Sequence, residues 1–296
     1  LLRPGMYVGS TSRHTNKMWL PAHAREEETA GSGGSPDKIR TIMHLRDSSY
    51  IPALYKIFDE ILVNAADNYQ RDRTMTSIDV TFDATRGIIS VRNDGRGIPV
   101  RMHDTEKVFV PELILGNLLT GSNFDDSEGR LTGGTHGFGA KLTNIFSQEF
   151  TVETADVRRN KLYKQTWTDN MRGRQEPDIT SIPTDVKSDF TCITFRPDFA
   201  RFGIDDPSDF WLGGGDSLPK KSQKKNSKDI LQSDDTLDIM RRRVWDVAGV
   251  NPDLRVTMDG MELDVDSFVS YVEMFGERSS STAHAQSDKN NVLYIR

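Results

Sequence analysis

The chain has 296 residues, which is enough for one large domain or two small ones. Of these residues, 35% are hydrophobic and 28% are charged, a polar composition for a globular protein but above the range of disordered chains. Its formal net charge of −6 argues against a surface that wraps DNA across the whole chain. No run of about 18 apolar residues occurs, which excludes a transmembrane helix. The single cysteine, Cys192, excludes an internal disulfide and a zinc site built from several thiolates.

Two stretches have the composition of inserted loops, at about 22–44 and about 203–235. The first is rich in glutamate, glycine and serine, and the second contains a glycine triplet followed by five closely spaced lysines. Small and polar residues offer little apolar area against the entropy of ordering. The lysines could contact DNA phosphates, but a solvated surface loop is the simpler interpretation. Because the chain starts without Met and ends in a strand-like run, we expect a domain excised from a longer protein.

Between these stretches, helical and strand patterns alternate along the chain. The predicted helices cover 52–68, 111–119, 141–147, 237–248 and 268–275. The predicted strands cover 77–83, 87–93, 150–155, 161–168 and 190–195, with two further short strands around a hairpin turn at Asp259-Gly260. Helices interleaved with hairpin-connected strands indicate an α+β sandwich, with one sheet and helices on one of its faces.

The helix at 52–68 carries two carboxylates and two amides along one flank of its apolar stripe: Glu60, Asn64, Asp67 and Asn68. A carboxylate and an amide at positions i and i+4 point the same way. That pair suits a general base beside a metal ligand, because an amide oxygen binds a hard cation without adding charge. On this helix alone, ordinary polar border residues are the simpler interpretation.

A glycine turn follows the strand at 87–93 and contains Asn93, Asp94, Gly97 and Ile98. A carboxylate on such a turn can accept a hydrogen bond from a ligand amine, while glycines allow the backbone to approach closely. Since Asp-Gly is also a common turn signal, this motif alone does not separate a binding site from a simple turn.

A second glycine-rich segment, 132–141, leads into the helix that contains Lys141. Its backbone N–H groups, the helix N-terminus and the lysine together suit a phosphate. Ala140 separates the last glycine from the lysine, so the segment is not a Walker A loop, and its spacing does not fit a dinucleotide-binding fingerprint. Taken alone, a flexible glycine loop without a ligand stays open as an alternative.

The order of these three motifs resembles the GHKL ATPase family, which includes type II topoisomerases, gyrase B subunits, MutL repair proteins, histidine kinases and heat-shock chaperones. Within it, the chain is similar to the branch of eukaryotic DNA topoisomerases II, through FDEILVNAADN at 58–68, LLTGSNFDD at 118–126 and shorter matches at 3–10, 144–147, 150–155 and 164–167. This resemblance implies a GHKL (Bergerat) two-layer sandwich over 1–275, with a mixed sheet and helices on one face. It also implies that 276–296 begin a truncated transducer region.

The resemblance assigns roles to individual residues. Glu60 would be the general base that activates water, Asn64 would hold Mg²⁺, and Asp94 would accept a hydrogen bond from the adenine amino group. The implied ATP-binding set is Asn64, Asp67, Asn68, Asn93, Asp94, Gly97, Ile98, Gly121, Ser122, Asn123, Gly134, Thr135, His136, Gly137, Phe138, Gly139, Ala140 and Lys141. The chain departs from the family at Gly121, Thr135, His136 and Phe138, which puts side-chain contacts from 135 and 136 in doubt.

The implied function is that of an ATP-binding and ATP-hydrolysing domain of a type IIA DNA topoisomerase. Such an enzyme uses ATP-driven dimerisation to gate the passage of double-stranded DNA, and so alters supercoiling and decatenates DNA. The implied partners are a second copy in a homodimer and double-stranded DNA bound mostly outside this chain, with no membrane. The nucleus is the expected location, with the mitochondrial DNA network (kinetoplast) of a trypanosomatid as the alternative. The alternative function is an ATP-gated dimerisation clamp, gyrase-B-like or MutL-like, with little or no hydrolysis.

Overall fold

A large mixed sheet, a layer of helices on one of its faces and a separate two-stranded antiparallel sheet form the fold in the computed structural model, which describes residues 5–22, 38–117, 139–211 and 235–276. The helices in these ranges are α1 (Gly5–Val8), α2 (Pro52–Arg71), α3 (Val110–Gly116), α4 (Gly139–Ile145), α5 (Pro207–Trp211), α6 (Thr236–Val250) and α7 (Phe268–Glu273). None of the helices in the described part of the chain has the length and apolar character needed to cross a bilayer.

The strands are β1 (His14–Pro21), β2 (Lys38–Ile39), β3 (Met43–Tyr50), β4 (Ser77–Asp83), β5 (Ile88–Asp94), β6 (Ser147–Asp156), β7 (Lys161–Thr168), β8 (Gly173–Arg174), β9 (Asp178–Thr180), β10 (Phe190–Pro197), β11 (Arg255–Met258) and β12 (Met261–Leu263). The large sheet has the order β2-β12-β11-β4-β5-β10-β6-β7-β8, and β9 also pairs with β7. The β11–β4 and β12–β2 pairs are parallel, whereas the other pairs are antiparallel, so the sheet is mixed as predicted.

The two faces of the sheet differ in polarity because side chains alternate along each strand. Val80 and Val91 lie on the face that packs against the helices and are at most 2% exposed. The opposite face carries hydroxyl groups that bond across strands, such as Thr151 to Thr166 at 2.9 Å and Ser90 to Thr194 at 3.1 Å. Burial of one face only is what an antiparallel-rich sheet with a single helical layer requires.

The helix α2 is the centre of the helical layer and contacts both α4 and α6. Its apolar stripe includes Leu54, Ile57 and Phe58, which are fully buried. The guanidinium of Arg243 on α6 donates to Asp59 at 2.7 Å and thereby fixes the relative position of the two helices. This ion pair therefore holds α2 against α6.

The structure corrects the predicted loop character at one end of each of the two stretches, 22–44 and 203–235. The end of the first, at about 22–44, is not a loop: β2 pairs with β12, and β3 pairs with β1, with Met43 only 2% exposed. The start of the second, at about 203–235, contains α5, in which Phe210 is fully buried. The strand β1 was not predicted because its first half is polar and exposed, so it has no alternating pattern. The remainder of both stretches lies outside the described residues.

Other elements shift by only a few residues. The predicted helix at 141–147 begins at Gly139 and ends at Ile145, because Ser147 already pairs in β6. The predicted hairpin at Asp259-Gly260 is confirmed: both residues have positive φ, 52° and 84°, as a two-residue turn between β11 and β12 requires.

Candidate functional site

The carboxylate of Glu60 lies where α2 meets the N-terminus of α4. Lys56, one turn earlier on α2, places its Nζ 2.6 Å from Glu60 Oε1, and the Glu60 side chain is 21% exposed. A Cβ added to Gly139, the first residue of α4, would lie 2.7 Å from Glu60 Cδ. A larger residue at this contact would have to displace the Glu60 side chain, whose carboxylate is partly open to solvent and is contacted from two sides.

Two buried hydrogen bonds hold α4 in this position. The hydroxyl of Thr143 donates to the carbonyl of Ile57 on α2 at 2.7 Å. The amide of Asn144 donates to the carbonyl of Leu115 on α3 at 3.4 Å. The C-terminal half of α4 is thus bonded to two neighbouring helices, which holds the helix in place beside Glu60.

Lys141 is 1% exposed, which is unusual for a lysine. Burial lowers its pKa from 10.5 to about 8, because the charged form loses its hydration. The neighbouring Ala140 is also buried. The lysine that the sequence assigns to a phosphate cradle therefore extends into the protein at the start of α4.

The remaining polar residues of α2 continue along the same flank. Asn64 is exposed one turn after Glu60, whereas Asp67 is 9% exposed. The amide of Asn68 donates to the carbonyl of Arg96 at 3.3 Å and so touches the glycine turn. Asn68, the last polar residue of this flank, therefore lies against the glycine turn.

Asn93 and Asp94 point to opposite faces of β5. Both carboxylate oxygens of Asp94 are used within the protein: the backbone N–H groups of Thr76 and Ser77 donate to it at 2.8 Å each, and the Thr76 hydroxyl also donates to it. Asn93 is 5% exposed, and its amide donates to the Asp94 carbonyl at 2.8 Å. The adenine contact assigned to Asp94 stays a prediction, and its carboxylate has a structural role in the loop before β4.

The second glycine of the turn has to be a glycine. A Cβ on Gly97 would overlap the carbonyl oxygen of Ala155 and would lie 2.9 Å from the hydroxyl of Thr154, both on β6. The next residue, Ile98, donates its N–H to that same hydroxyl at 3.0 Å. The turn is thereby anchored to a strand that is not its direct neighbour in the sheet.

Sequence reasoning missed Thr191, which the structure brings to this end of the site. It lies on β10, directly opposite Asn93 in the register, and its hydroxyl is 3.2 Å from that of Thr154. The alternation in the predicted strand at 190–195 contains the signal, because it places Thr191 on the face of Ile193 and Phe195. Cys192 is on the other face, half-buried and 3.4 Å from the Ser90 hydroxyl, as a packing residue would be.

Part of the predicted site lies outside the described residues, namely Gly121, Ser122, Asn123, Gly134, Thr135, His136, Gly137 and Phe138. Within the described ranges, no group of three or more His, Cys, Asp or Glu residues could hold a metal by itself. Mg²⁺ does not need such a group, since it is commonly held by one or two protein oxygens together with substrate phosphates and water. The exposed amide of Asn64 beside Glu60 fits that mode of binding.

Comparison with known proteins gives a consistent result. The family of histidine kinase-, DNA gyrase B- and HSP90-like ATPases matches residues 50–200. DNA topoisomerase 2 of Penicillium chrysogenum is 44% identical over 274 residues, which are 92% of this chain and 14% of that protein. The mitochondrial DNA topoisomerase 2 of Dictyostelium discoideum is 42% identical over 294 residues, covering 93% of this chain and 21% of that protein.

The crystal structure of the ATPase and transducer domains of DNA topoisomerase II from Balamuthia mandrillaris superposes with a TM-score of 0.74 at 44% identity, covering 93% of this chain and 60% of that chain. The chain thus spans only a small part of the full length of its curated relatives. The family match and the shared fold agree with the motif order on α2, the glycine turn and α4. The chain belongs to the histidine kinase-, DNA gyrase B- and HSP90-like ATPase family, and its similarity within that family is to the ATPase region of eukaryotic DNA topoisomerases II.

Proposed function

We propose that this chain binds ATP and hydrolyses it as the ATPase domain of a type IIA DNA topoisomerase. The observation that carries the proposal is the position of Glu60, whose partly exposed carboxylate lies between Lys56 and the glycine at which α4 begins. A carboxylate held at the edge of an anion-binding helix start suits a base that orients water toward a terminal phosphate. In this proposal Glu60 accepts the proton of the attacking water.

The rest of the site binds and orients the nucleotide. Asn64 would hold Mg²⁺, which supplies neutralisation of the phosphate charge during phosphoryl transfer. The backbone N–H groups at the start of α4, from Gly139 to Lys141, would face the phosphates together with Gly134, Thr135, His136, Gly137 and Phe138, which precede it in the chain. Gly121, Ser122 and Asn123 would contact ribose or phosphate.

The adenine end would lie between α2 and the end of β5. Asp67, Asn68, Asn93, Gly97 and Ile98 belong to this end, as the resemblance implies. We add Thr191, because it faces Asn93 across the strand pair. The Asp94 carboxylate already accepts three protein hydrogen bonds, and we propose that Asn93, on the opposite face of β5 and across from Thr191, meets the base instead.

The activity of the whole protein follows from the same resemblance. Because the chain covers about a seventh of a relative's length, we propose that it is one domain of a longer enzyme that works as a homodimer. ATP binding would join two such domains into a gate that captures double-stranded DNA, which changes supercoiling and decatenates DNA. We propose a nuclear location; one relative is named as mitochondrial, and that compartment is the alternative.

The decisive experiment compares Glu60→Gln, Asn64→Ala and wild type in the full-length protein. We expect Glu60→Gln to bind ATP and Mg²⁺ but to lose hydrolysis by roughly 10²-fold or more, since general base catalysis is worth about that much. We expect Asn64→Ala to lose the Mg²⁺-dependent part of binding in calorimetry. Asp83→Asn, in the turn at the far end of β4, serves as the control.

Undiminished hydrolysis by Glu60→Gln would contradict the proposed base. Binding of ATP by the wild type without any hydrolysis would instead support a dimerisation clamp. DNA relaxation and decatenation assays on the same proteins test the topoisomerase part of the proposal, because both should be lost together with hydrolysis.

A further inference from the structure

The segment from 72 to 76 joins α2 to β4 and packs against the glycine turn after β5. It begins with Asp72, whose backbone N–H donates to the Asn68 carbonyl at 2.8 Å and so ends α2. Asp72 belongs to neither the sequence motifs nor the implied ATP-binding set. Its side chain nevertheless points to the turn.

The two carboxylate oxygens of Asp72 bind two different segments. Oδ2 accepts the backbone N–H of Arg96, in the middle of the turn, at 2.7 Å. Oδ1 accepts the backbone N–H of Thr74 at 3.0 Å and its hydroxyl at 2.6 Å. The carboxylate therefore ties its own loop to the backbone of the glycine turn with charge-assisted hydrogen bonds, which are the stronger kind.

Asp94 makes the reciprocal connection. It lies on the turn side and accepts the backbone N–H groups of Thr76 and Ser77 on the loop side. Each of the two segments thus contributes one carboxylate, and that carboxylate accepts backbone N–H groups from the other segment. Such an exchange fixes both the separation and the orientation of the segments.

Met75 fills the space between the two segments and is 2% exposed. A Cβ on Gly95 would lie 2.7 Å from the Met75 Cβ, and Gly95 has a φ of +81°. The Met75 sulfur is 3.8 Å from the amide nitrogen of Asn68 and 4.0 Å from that of Asn93. The loop therefore touches both amides proposed to meet the nucleotide, as well as the backbone of the turn.

From these contacts we propose that Asp72 is a positioning residue for recognition of the nucleotide base. It sets the backbone at Gly95 to Gly97, and through that backbone and Met75 it sets the Asn68 and Asn93 amides. The inference rests on the proposed function and concerns the same site. Because Asp72 acts on the base end, far along α2 from Glu60, its loss changes affinity and base preference but leaves the chemical step intact.

The test is the steady-state hydrolysis of ATP and GTP by the full-length protein carrying Asp72→Asn. We expect the KM for ATP to rise about tenfold, which is the effect of weakening one hydrogen bond to a charged acceptor. We expect kcat for ATP to stay unchanged and the preference for ATP over GTP to fall. The matched control is Asp83→Asn, since Asp83 accepts the Arg86 backbone N–H at 2.9 Å in the turn at the opposite end of the same strands.

A second variant, Asp72→Glu, keeps the charge and moves it by one methylene. If Asp72→Asn does not fold, Asp72→Glu is expected to show the same rise in KM in smaller measure, with the same loss of base preference. An unchanged KM and ATP preference in folded Asp72 variants would overturn the inference, as would a fall in kcat with constant KM. Failure of the proposed function is recognised separately, because Glu60→Gln would then hydrolyse ATP like the wild type.

Discussion

The Cα of Gly139 packs directly against the carboxylate of Glu60 where α2 meets α4. The contact has a chemical consequence, because a base has to hold its oxygen within hydrogen-bond reach of the proton it accepts. Lys56 limits the carboxylate from the opposite side. The proposed base is thus confined by a backbone atom on one side and by Lys56 on the other.

We predict that Gly139→Ala displaces the Glu60 carboxylate and lowers kcat by roughly 10²-fold, the usual cost of a misplacement of about 1 Å in a catalytic group. The measurement is ATP hydrolysis at saturating ATP and Mg²⁺. Gly276→Ala is the control, because its new Cβ would meet only the Glu273 carbonyl at 3.8 Å. Equal activity of both variants would show that the junction tolerates a methyl group and that Glu60 is free to move.

We predict different effects for the two neighbouring residues of the glycine turn. Asp94→Ala should lower the free energy of unfolding by about 1–3 kcal/mol, because the donors on Thr76 and Ser77 lose a charged acceptor. Asn93→Ala should lower the free energy of unfolding less than Asp94→Ala does, and it should weaken ATP binding more. Denaturant unfolding and calorimetric titration of the two variants check this. A stable Asp94→Ala protein without ATP binding would favour the direct adenine contact that the family resemblance implies.

We predict a pH-dependent stability term from Lys141. Its pKa in the folded chain is about 8, below the ordinary value of 10.5, because burial disfavours the charged form. The unfolded chain therefore holds more protons between these two values, and this residue makes the free energy of unfolding rise as the pH increases through that range. Urea unfolding of wild type and Lys141→Met at several pH values tests the difference, which should narrow toward alkaline pH. A difference that is constant with pH would contradict the prediction.

We predict that Arg243→Met destabilises the domain by about 1–2 kcal/mol, since it removes the ion pair between α6 and α2 and leaves Asp59 without its closest cation. The loss is smaller than for a fully buried ion pair because the Arg243 side chain is 31% exposed. Arg86→Met is the control, as Arg86 is 71% exposed and lies 3.9 Å from Asp83. Thermal unfolding should separate the two variants clearly.

The sequence predicts best what depends on local patterns. The helix α2, the hairpin of β4 and β5, and the strand β7 follow from apolar periodicity within single segments, and all are present with shifts of a few residues. The family, and with it the mixed sheet, follows from the order of three motifs. They can be predicted without knowing which distant segments of the chain are in contact.

What the sequence does not predict depends on contacts between distant segments. The strand β1 is stabilised by its pairing with β3, and its own residues carry no alternating signal. Thr191 is recognisable as part of the site only when β10 is known to lie beside β5. The role of Asp94 also could not be foreseen, because its partners on the loop before β4 come from a different part of the chain.

The place of β10 between β5 and β6 has a consequence for how the protein is made. The helix α2, the glycine turn and the start of α4 all lie before residue 150. The strands β5 and β6, however, are joined only through β10, which lies between them in the sheet. During synthesis, β5 and β6 therefore each keep one unpaired edge until the ribosome has released the chain beyond Pro197. The proposed nucleotide site is therefore complete only after β10 has paired with β5 and β6.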